Sequence, residues 1–270
     1  MPRPDTFQFD AIGTRWWIEP IDSTLNDPIK RKLLAVARDF DHDYSRFIDG
    51  SIIDRLNRGQ VVHRPPDDLL ELFRLSKEFF DVSRGVFNVS VGGVLHERGY
   101  GARSKAAPVY PDPWPYVVYD HRSARLEHTM TIDFGGLGKG WLIDRFSDIL
   151  RSYDVQKFIV NGGGDVYVSS DSPVEIALEN AEGTKTIGST KLRNQALAVS
   201  SNTKRRWVHY GQEYAHLVHP TEHTSDVRAA YVKADSAVVA DAMATVLYLQ
   251  PELTAELSSR YGLTVRLVRD

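Results

Sequence analysis

Two charged side chains stand where elementary physics argues against them. Lys139 falls in the first turn of a predicted helix that opens at Gly138-Lys139-Gly140, and the positive end of a helix macrodipole disfavours a cation. A lysine there makes sense when an anion lies in front of the terminus, as phosphates often do. The competing reading is a solvated lysine after a plain strand-to-helix turn at Gly135 and Gly136. Asp241 is embedded in Val238-Val239-Ala240-Asp241-Ala242-Met243-Ala244-Thr245-Val246. A buried carboxylate without a partner is costly, so Asp241 needs one. Thr245, four residues on, puts its hydroxyl on the same helix face. Carboxylate, hydroxyl and backbone carbonyls suit a hard cation such as magnesium, which takes oxygen ligands and keeps waters or phosphate oxygens. The alternative is that Asp241 caps a neighbouring loop or pairs with an arginine.

Other motifs narrow the chemistry. A P-loop needs Ser or Thr after Gly-Lys to hold magnesium, and Gly140 stands there instead. Gly136 to Gly140 also lacks the three-glycine dinucleotide spacing, and no acidic residue follows on a second strand. His209, His216, His219 and His223 form a cluster in sequence. Zinc would require the imidazoles to converge, but Pro220 breaks any helix that might gather them. One of them is a candidate general base, because histidine titrates near neutrality. Asp133 and Asp165 flank the glycines, suited either to orienting hydroxyls or a heterocycle, or to forming turns.

The elements that must position these residues follow from apolar periodicity. Met130 to Asp133 reads as a short strand, and Leu142, Phe146 and Ile149 mark one face of the helix after Gly140. Phe158 to Val160 and Val166 to Val168 read as strands joined by the Asn161-to-Asp165 turn. Phe7 to Ile18 is a strand interrupted at Gly13-Thr14, and Asn26-Asp27-Pro28 starts a helix. Ser51 to Asn57 is a short helical turn at most, while Pro65-Pro66-Asp67 opens a longer helix. Gly85 to Gly93 reads as extended and glycine-bounded. Further strands are predicted near Val117, Leu126, Glu175 to Leu178, Ala196 to Ser200, Tyr231 and Leu263 to Val268, with a hairpin turning at Tyr210-Gly211-Gln212. Helices are predicted from Ser236 to Leu249 and from Glu252 to Arg260. Strands mixed with helices predict an α+β fold.

The 270 residues and net charge of -3 suffice for ample core and carry neither a basic stripe for nucleic acid nor an acidic tail. Cysteine is absent, which excludes disulfides, thiolate metal sites and thiol nucleophiles. No apolar stretch is long enough to span a bilayer and no signal-type h-region follows Met1. A soluble, cytoplasmic protein is expected.

Seven segments, in order along nearly the whole chain, resemble the ApbE family of FAD:protein FMN transferases. Ile12-Gly13-Thr14 is similar to the family's Met-Gly-Thr, and Ser45-Arg46-Phe47 with Ser51-Ile52 and Leu56-Asn57 to its Ser-x-Tyr/Phe, Ser-x-Ile and Leu-Asn. Phe87 to Gly92 with Gly99-Tyr100-Gly101 is similar to Phe-Asp-x-Thr-Val-Gly and Gly-Phe-Gly. Asp133 to Gly140 matches Asp-x-Gly-Gly-x-x-Lys-Gly, and Asn161 to Asp165 matches Asn-x-Gly-Gly-Asp. His216 to Pro220 resembles His-Ile-Ile-Asp-Pro, and Asp241 to Thr245 resembles Asp-Ala-Leu-Ala-Thr.

The resemblance implies one ApbE-like, T-fold-like domain over 1–270, two-lobed, with mixed or antiparallel sheets and FAD in a central cleft. Ile12, Phe47, Val86, Phe87, Asn88, Asp133, Lys139 and Leu217 would line the flavin and adenine sites. Asp241, Thr245 and the Gly136 carbonyl would hold Mg2+ against the pyrophosphate. His216 would be the base that readies a threonine hydroxyl of an acceptor protein to attack the FMN phosphorus, expelling AMP. This would satisfy both Lys139 and Asp241. The chain departs from the family at three places: His219 replaces the Asp of His-x-x-Asp-Pro and no Thr-Gly follows Pro220; Asn88 replaces Asp; Ser200-Ser201-Asn202 replaces Thr-Ser-Gly. These bear on flavin contacts and acceptor docking. Hydrolysis of FAD to FMN and AMP, FAD binding without turnover, and a zinc hydrolase are the alternatives. No acceptor motif lies within the chain, so self-modification is not expected.

Overall fold

A computed structural model describes residues 5–101, 107–203, 206–221 and 225–269. The chain opens with the hairpin β1 (Phe7–Ala11) and β2 (Thr14–Pro20), then α1 (Asp27–Tyr44), α2 (Ile52–Asn57), β3 (Val62–His63), α3 (Asp67–Val82) and α4 (Gly92–Glu97). A 3-10 turn (Trp114–Tyr116), β4 (Val117–Tyr119) and β5 (Ser123–Leu126) lead to α5 (Gly138–Ser152). Strands β6 (Phe158–Gly162), β7 (Asp165–Ser169), β8 (Val174–Glu179), β9 (Thr186–Leu192), β10 (Gln195–Ser201), β11 (Arg206–His209), β12 (Gln212–Ala215) and β13 (Val227–Ala234) follow. Helices α6 (Ala237–Leu249) and α7 (Thr254–Tyr261) and strand β14 (Thr264–Arg269) complete the chain.

These elements form two compact units, one of residues 1–41, 137–204 and 226–270, the other of residues 42–136 and 205–225. The first carries a seven-stranded sheet in the order β1-β2-β6-β7-β10-β13-β14, with every neighbouring pair antiparallel. Helix α6 packs on β10 and β13 and against α5. Its face is apolar almost all round, from Ala237 to Leu249, as befits a helix enclosed by sheet and helix together. Close approach of the two helices depends on Gly140, whose Cβ would lie 2.6 Å from Val238 Cα. Trp16 and Phe146, both fully buried, pack edge to face at 5.2 Å. Strands β8 and β9 pair separately, and Leu178 and Leu192 join Val166, Val168 and Leu197 in a second apolar cluster.

The second unit pairs β3-β5-β4 into a three-stranded sheet and β11 with β12 into a hairpin. Phe73 packs among Trp114, Tyr119 and Phe134. The expected α+β class holds, and most predicted elements fall where periodicity put them. Two did not. Met130 to Asp133 forms no strand; Thr131 makes an isolated parallel bridge to Val91. Gly85 to Val91 runs through turns, and Gly92-Gly93 begins α4. Backbone proximity explains the glycines, since a Cβ at Gly92 would lie 2.6 Å from the Thr131 carbonyl oxygen. No helix among the described residues is long and apolar enough to cross a membrane.

Candidate active site

In the first unit, Lys139 and Asp241 turn out to answer each other. Lys139 Nζ lies 2.9 Å from Asp241 Oδ1 and 2.9 Å from Asp165 Oδ2. Each carboxylate is anchored by its other oxygen. Asp241 Oδ2 accepts from the Gly140 N–H at 3.0 Å, and Asp165 Oδ1 accepts from the Val199 N–H at 3.0 Å. Both aspartate side chains are 5% exposed and that of Lys139 is 21% exposed. The anion that the helix N-terminus called for is therefore supplied by the protein, twice. The cation that meets Asp241 is a lysine, not the arginine that its apolar surround left open.

Two carboxylates share one ammonium, leaving a formal charge of -1 in a poorly solvated place. The titration follows from that imbalance. Burial pushes Asp241 up, to about 6, with the Lys139 ammonium opposing and the Asp165 charge reinforcing the rise. Burial also works against the Lys139 ammonium, but the two carboxylates outweigh it and hold its pKa above the ordinary lysine value. Thr245 shares a hydrogen bond with Ser200, Oγ to Oγ1 at 3.2 Å. The donors in this neighbourhood are thus oxygen atoms around excess negative charge, a set that fits a hard divalent cation.

The register of α6 is set by a residue that sequence reading passed over. Asp144, on α5, accepts from the Ala237 N–H and the Val238 N–H at 2.9 Å and from the Ser236 hydroxyl at 2.8 Å. Helix α6 therefore begins with its orphan amides satisfied by a carboxylate at the favourable dipole end. Burial raises the Asp144 pKa, against the pull of those hydrogen bonds. Nothing local signals this role, since Asp144 sits in an amphipathic helix like any surface acid. Ile12 occupies the β1–β2 turn at φ 44°, followed by Gly13 at φ 72°. The two-residue hairpin needs left-handed backbone at both positions, and a β-branched side chain adopts it only under strain.

In the second unit, Arg46 Nε donates to Asp133 Oδ2 at 2.5 Å and Arg46 Nη2 to the Tyr100 carbonyl at 3.0 Å. The Arg46 side chain is 1% exposed. Asp133 Oδ1 accepts from the Gly135 N–H at 2.6 Å, so it forms a turn and an ion pair together. Asn57 clamps the residue before, accepting from the Ile132 N–H at 2.7 Å and donating to its carbonyl at 3.1 Å. Phe47 is exposed, with the Arg46 guanidinium 4.1 Å from its ring centre. Val86 and Phe87 are buried, Phe87 edge-on to Phe79 at 5.6 Å. Gly136 meets Phe87, to whose ring a Cβ would come within 3.1 Å.

Two departures from the family pattern gain a physical reason. Asn88 Nδ2 donates to the Tyr110 carbonyl at 2.8 Å while Oδ1 accepts from the Ser90 N–H at 2.9 Å. A carboxylate has no donor for Tyr110, so asparagine suits this loop better than aspartate. His219 Nδ1 lies 2.9 Å from the Thr221 carbonyl oxygen and 3.1 Å from its N–H, so it ties the same two-residue-on turn that an aspartate would, as donor or acceptor according to its tautomer. His216 and Leu217 are half-buried beyond β12. His209 packs over Gly99, while His223 and Glu222 lie outside the described residues. Among the described residues no three His, Cys, Asp or Glu side chains gather as a metal-binding group, so the zinc arrangement has no counterpart there.

An antiparallel seven-stranded sheet and a glycine-led helix facing two anchored aspartates frame this site, and comparison with known proteins gives the fold a family. The ApbE family profile matches residues 12–265, and the chain belongs to that family. An FAD:protein FMN transferase of Klebsiella pneumoniae is 29% identical over 172 residues, 59% of this chain and 53% of its own length. The match thus spans little more than half of that relative. An FAD:protein FMN transferase of Haemophilus influenzae is 21% identical over 300 residues, 96% of this chain and 84% of its own. The crystal structure of the ApbE protein of Thermotoga maritima superposes with a TM-score of 0.83 at 20% identity, over 98% of this chain and 94% of that one.

Proposed function

We propose that this protein is a magnesium-dependent enzyme that transfers FMN from FAD to a threonine hydroxyl of an acceptor protein, releasing AMP. The observation that carries the reading is the charge imbalance around Lys139. An ammonium between two anchored carboxylates leaves room, electrostatically, for further positive charge but not for a bare anion. The named activity of the two curated relatives supports the same reading.

Asp241 and Thr245 would hold the magnesium ion, whose part is to neutralise charge on the diphosphate and on the leaving AMP. The Gly136 carbonyl is the third ligand that the family pattern implies. Ile12, Phe47, Val86, Phe87, Asn88, Asp133, Lys139 and Leu217 form the flavin-nucleotide set in this reading. For Val86, Phe87 and Asn88 the contact falls to backbone atoms, because their side chains are committed to packing and loop bonds. His216 takes the proton of the threonine hydroxyl as the threonine oxygen bonds to the FMN phosphorus. The bond from that phosphorus to the AMP oxygen breaks, and AMP leaves.

The test is direct. Protein incubated with FAD, Mg2+ and an acceptor carrying a threonine flavinylation motif should give a fluorescent acceptor heavier by one FMN, with one AMP per transfer. FMN released at the same rate without acceptor would make the enzyme a hydrolase. FAD that stays bound and intact would make it a binding protein. His216→Ala should retain FAD binding while slowing transfer by about 10²- to 10⁴-fold, as measured by single-turnover AMP release.

A further inference from the structure

Asp165 lies outside the ligand set of the proposed magnesium site, yet it is built as carefully as Asp241. Each carboxylate spends one oxygen on a backbone N–H, Gly140 for Asp241 and Val199 for Asp165, at 3.0 Å in both cases. Each aims the other oxygen at the same ammonium at 2.9 Å. Asp165 Oδ2 is buried and has no well-aligned hydrogen-bond donor, so the Lys139 charge is its compensation. Lys139 is thus held at equal distance by two fixed carboxylates on two different elements, hydrogen-bonded to Asp241 and ion-paired with Asp165.

A magnesium ion held by Asp241 would need one of its oxygens at about 2.0 to 2.1 Å; Oδ2 is engaged by the Gly140 N–H, and Oδ1 faces the ammonium. Both cations on one oxygen would repel strongly in so dry a place. The ammonium, on a flexible four-carbon stem, must give way. Resting on the proposed function above, we infer that Lys139 is a resident counter-ion that hands Asp241 over to the divalent cation. Asp165 is the positioning residue that retains the ammonium during the exchange. The formal charge of the three side chains, -1 without metal, becomes +1 with a divalent ion added, which suits an incoming diphosphate. Without Asp165 the ammonium has one acceptor left, and that acceptor is the one the metal needs.

The experiment titrates Mn2+ alone, without flavin, into the full chain, and follows free Mn2+ by electron paramagnetic resonance. Four proteins are compared: wild type, Asp165→Asn, Lys139→Gln and the double variant. Asp165→Asn should weaken Mn2+ binding about tenfold or more, and Lys139→Gln should tighten it. In the Lys139→Gln background the Asp165→Asn effect should shrink to within about twofold, because residues that act through one another are not additive. An equal Asp165→Asn effect in both backgrounds would mean a direct field or a ligand, and would overturn the handover while leaving the metal site standing. No Mn2+ binding by wild type would overturn both.

If a variant fails to fold, wild type still decides. With ¹⁵N-lysine labelling, the Lys139 Nζ resonance should move as Mg2+ saturates the protein. A resonance that does not move at saturation would overturn the proposal.

Discussion

Arg46 with Asp133 and Lys139 with Asp165 and Asp241 are both desolvated ion clusters, but they are finished to different degrees. In the first, one cation meets one anion, and the guanidinium also donates to the Tyr100 carbonyl. Asp133 in turn satisfies the Gly135 N–H. There the charge closes, one cation to one anion. In the second, the charge does not close, since two anions face one cation, and Asp165 Oδ2 meets that cation as an ion pair without an aligned donor. Folding alone has no reason to leave a buried surplus of charge. A balanced pair holds a loop in shape, whereas an unbalanced one is poised for a ligand of opposite sign.

Removing one carboxylate from each cluster should expose the difference. Asp133→Ala strands the Arg46 guanidinium in a buried place and should lower stability by about 3 to 5 kcal/mol, read from the urea midpoint. A loss below about 1 kcal/mol would mean that Tyr100 and the aromatic rings suffice for Arg46, and the contrast would fail. Asp241→Ala should cost less stability, because Lys139 keeps Asp165 and the cluster becomes neutral, although the Gly140 N–H loses its acceptor. Its larger cost should appear in function, with magnesium-dependent transfer falling about 10²- to 10³-fold. Magnesium dependence that survives Asp241→Ala would remove the metal from that position.

A smaller effect concerns pH. The folded-state pKa of Asp241 is raised from 3.8 to about 6, so the native protein holds a proton that the unfolded chain has released. Its stability relative to Asp241→Asn should therefore fall as pH rises from 3.8 to about 6 and stay level above that window. Chemical denaturation of the two proteins between pH 4 and pH 7, without divalent ions, measures this. A difference that is constant across the window would mean that Lys139 alone neutralises the cluster.

Much of the architecture was legible because periodicity is local. The glycine-led helix, the apolar helix around Asp241 and the 206–215 hairpin fall as predicted. The strand β9 went unread because it is largely exposed, with only Leu192 buried, so it carries no inward-facing pattern. Met130 to Asp133 looked like a strand because apolar residues were needed there for burial, with Met130 and Ile132 in the core. The site was legible in its oddities but not in its solution. Lys139 and Asp241 are 102 residues apart, and no spacing rule joins them. The same distance hid Asp144, whose partners lie 92 to 94 residues on.

Asp144 has one more consequence. It reaches the Ala237 amide four positions after Gly140, and Gly140 reaches Asp241 four positions after Ala237. The helices run in opposite senses, cross-tied by two rungs of equal spacing. Inserting or deleting one residue between the rungs on either rail would turn everything beyond it by about 100° and bring a wrong side chain opposite the lysine. Evolution can therefore vary the residues between these ties but not their number, unless both rails change length together.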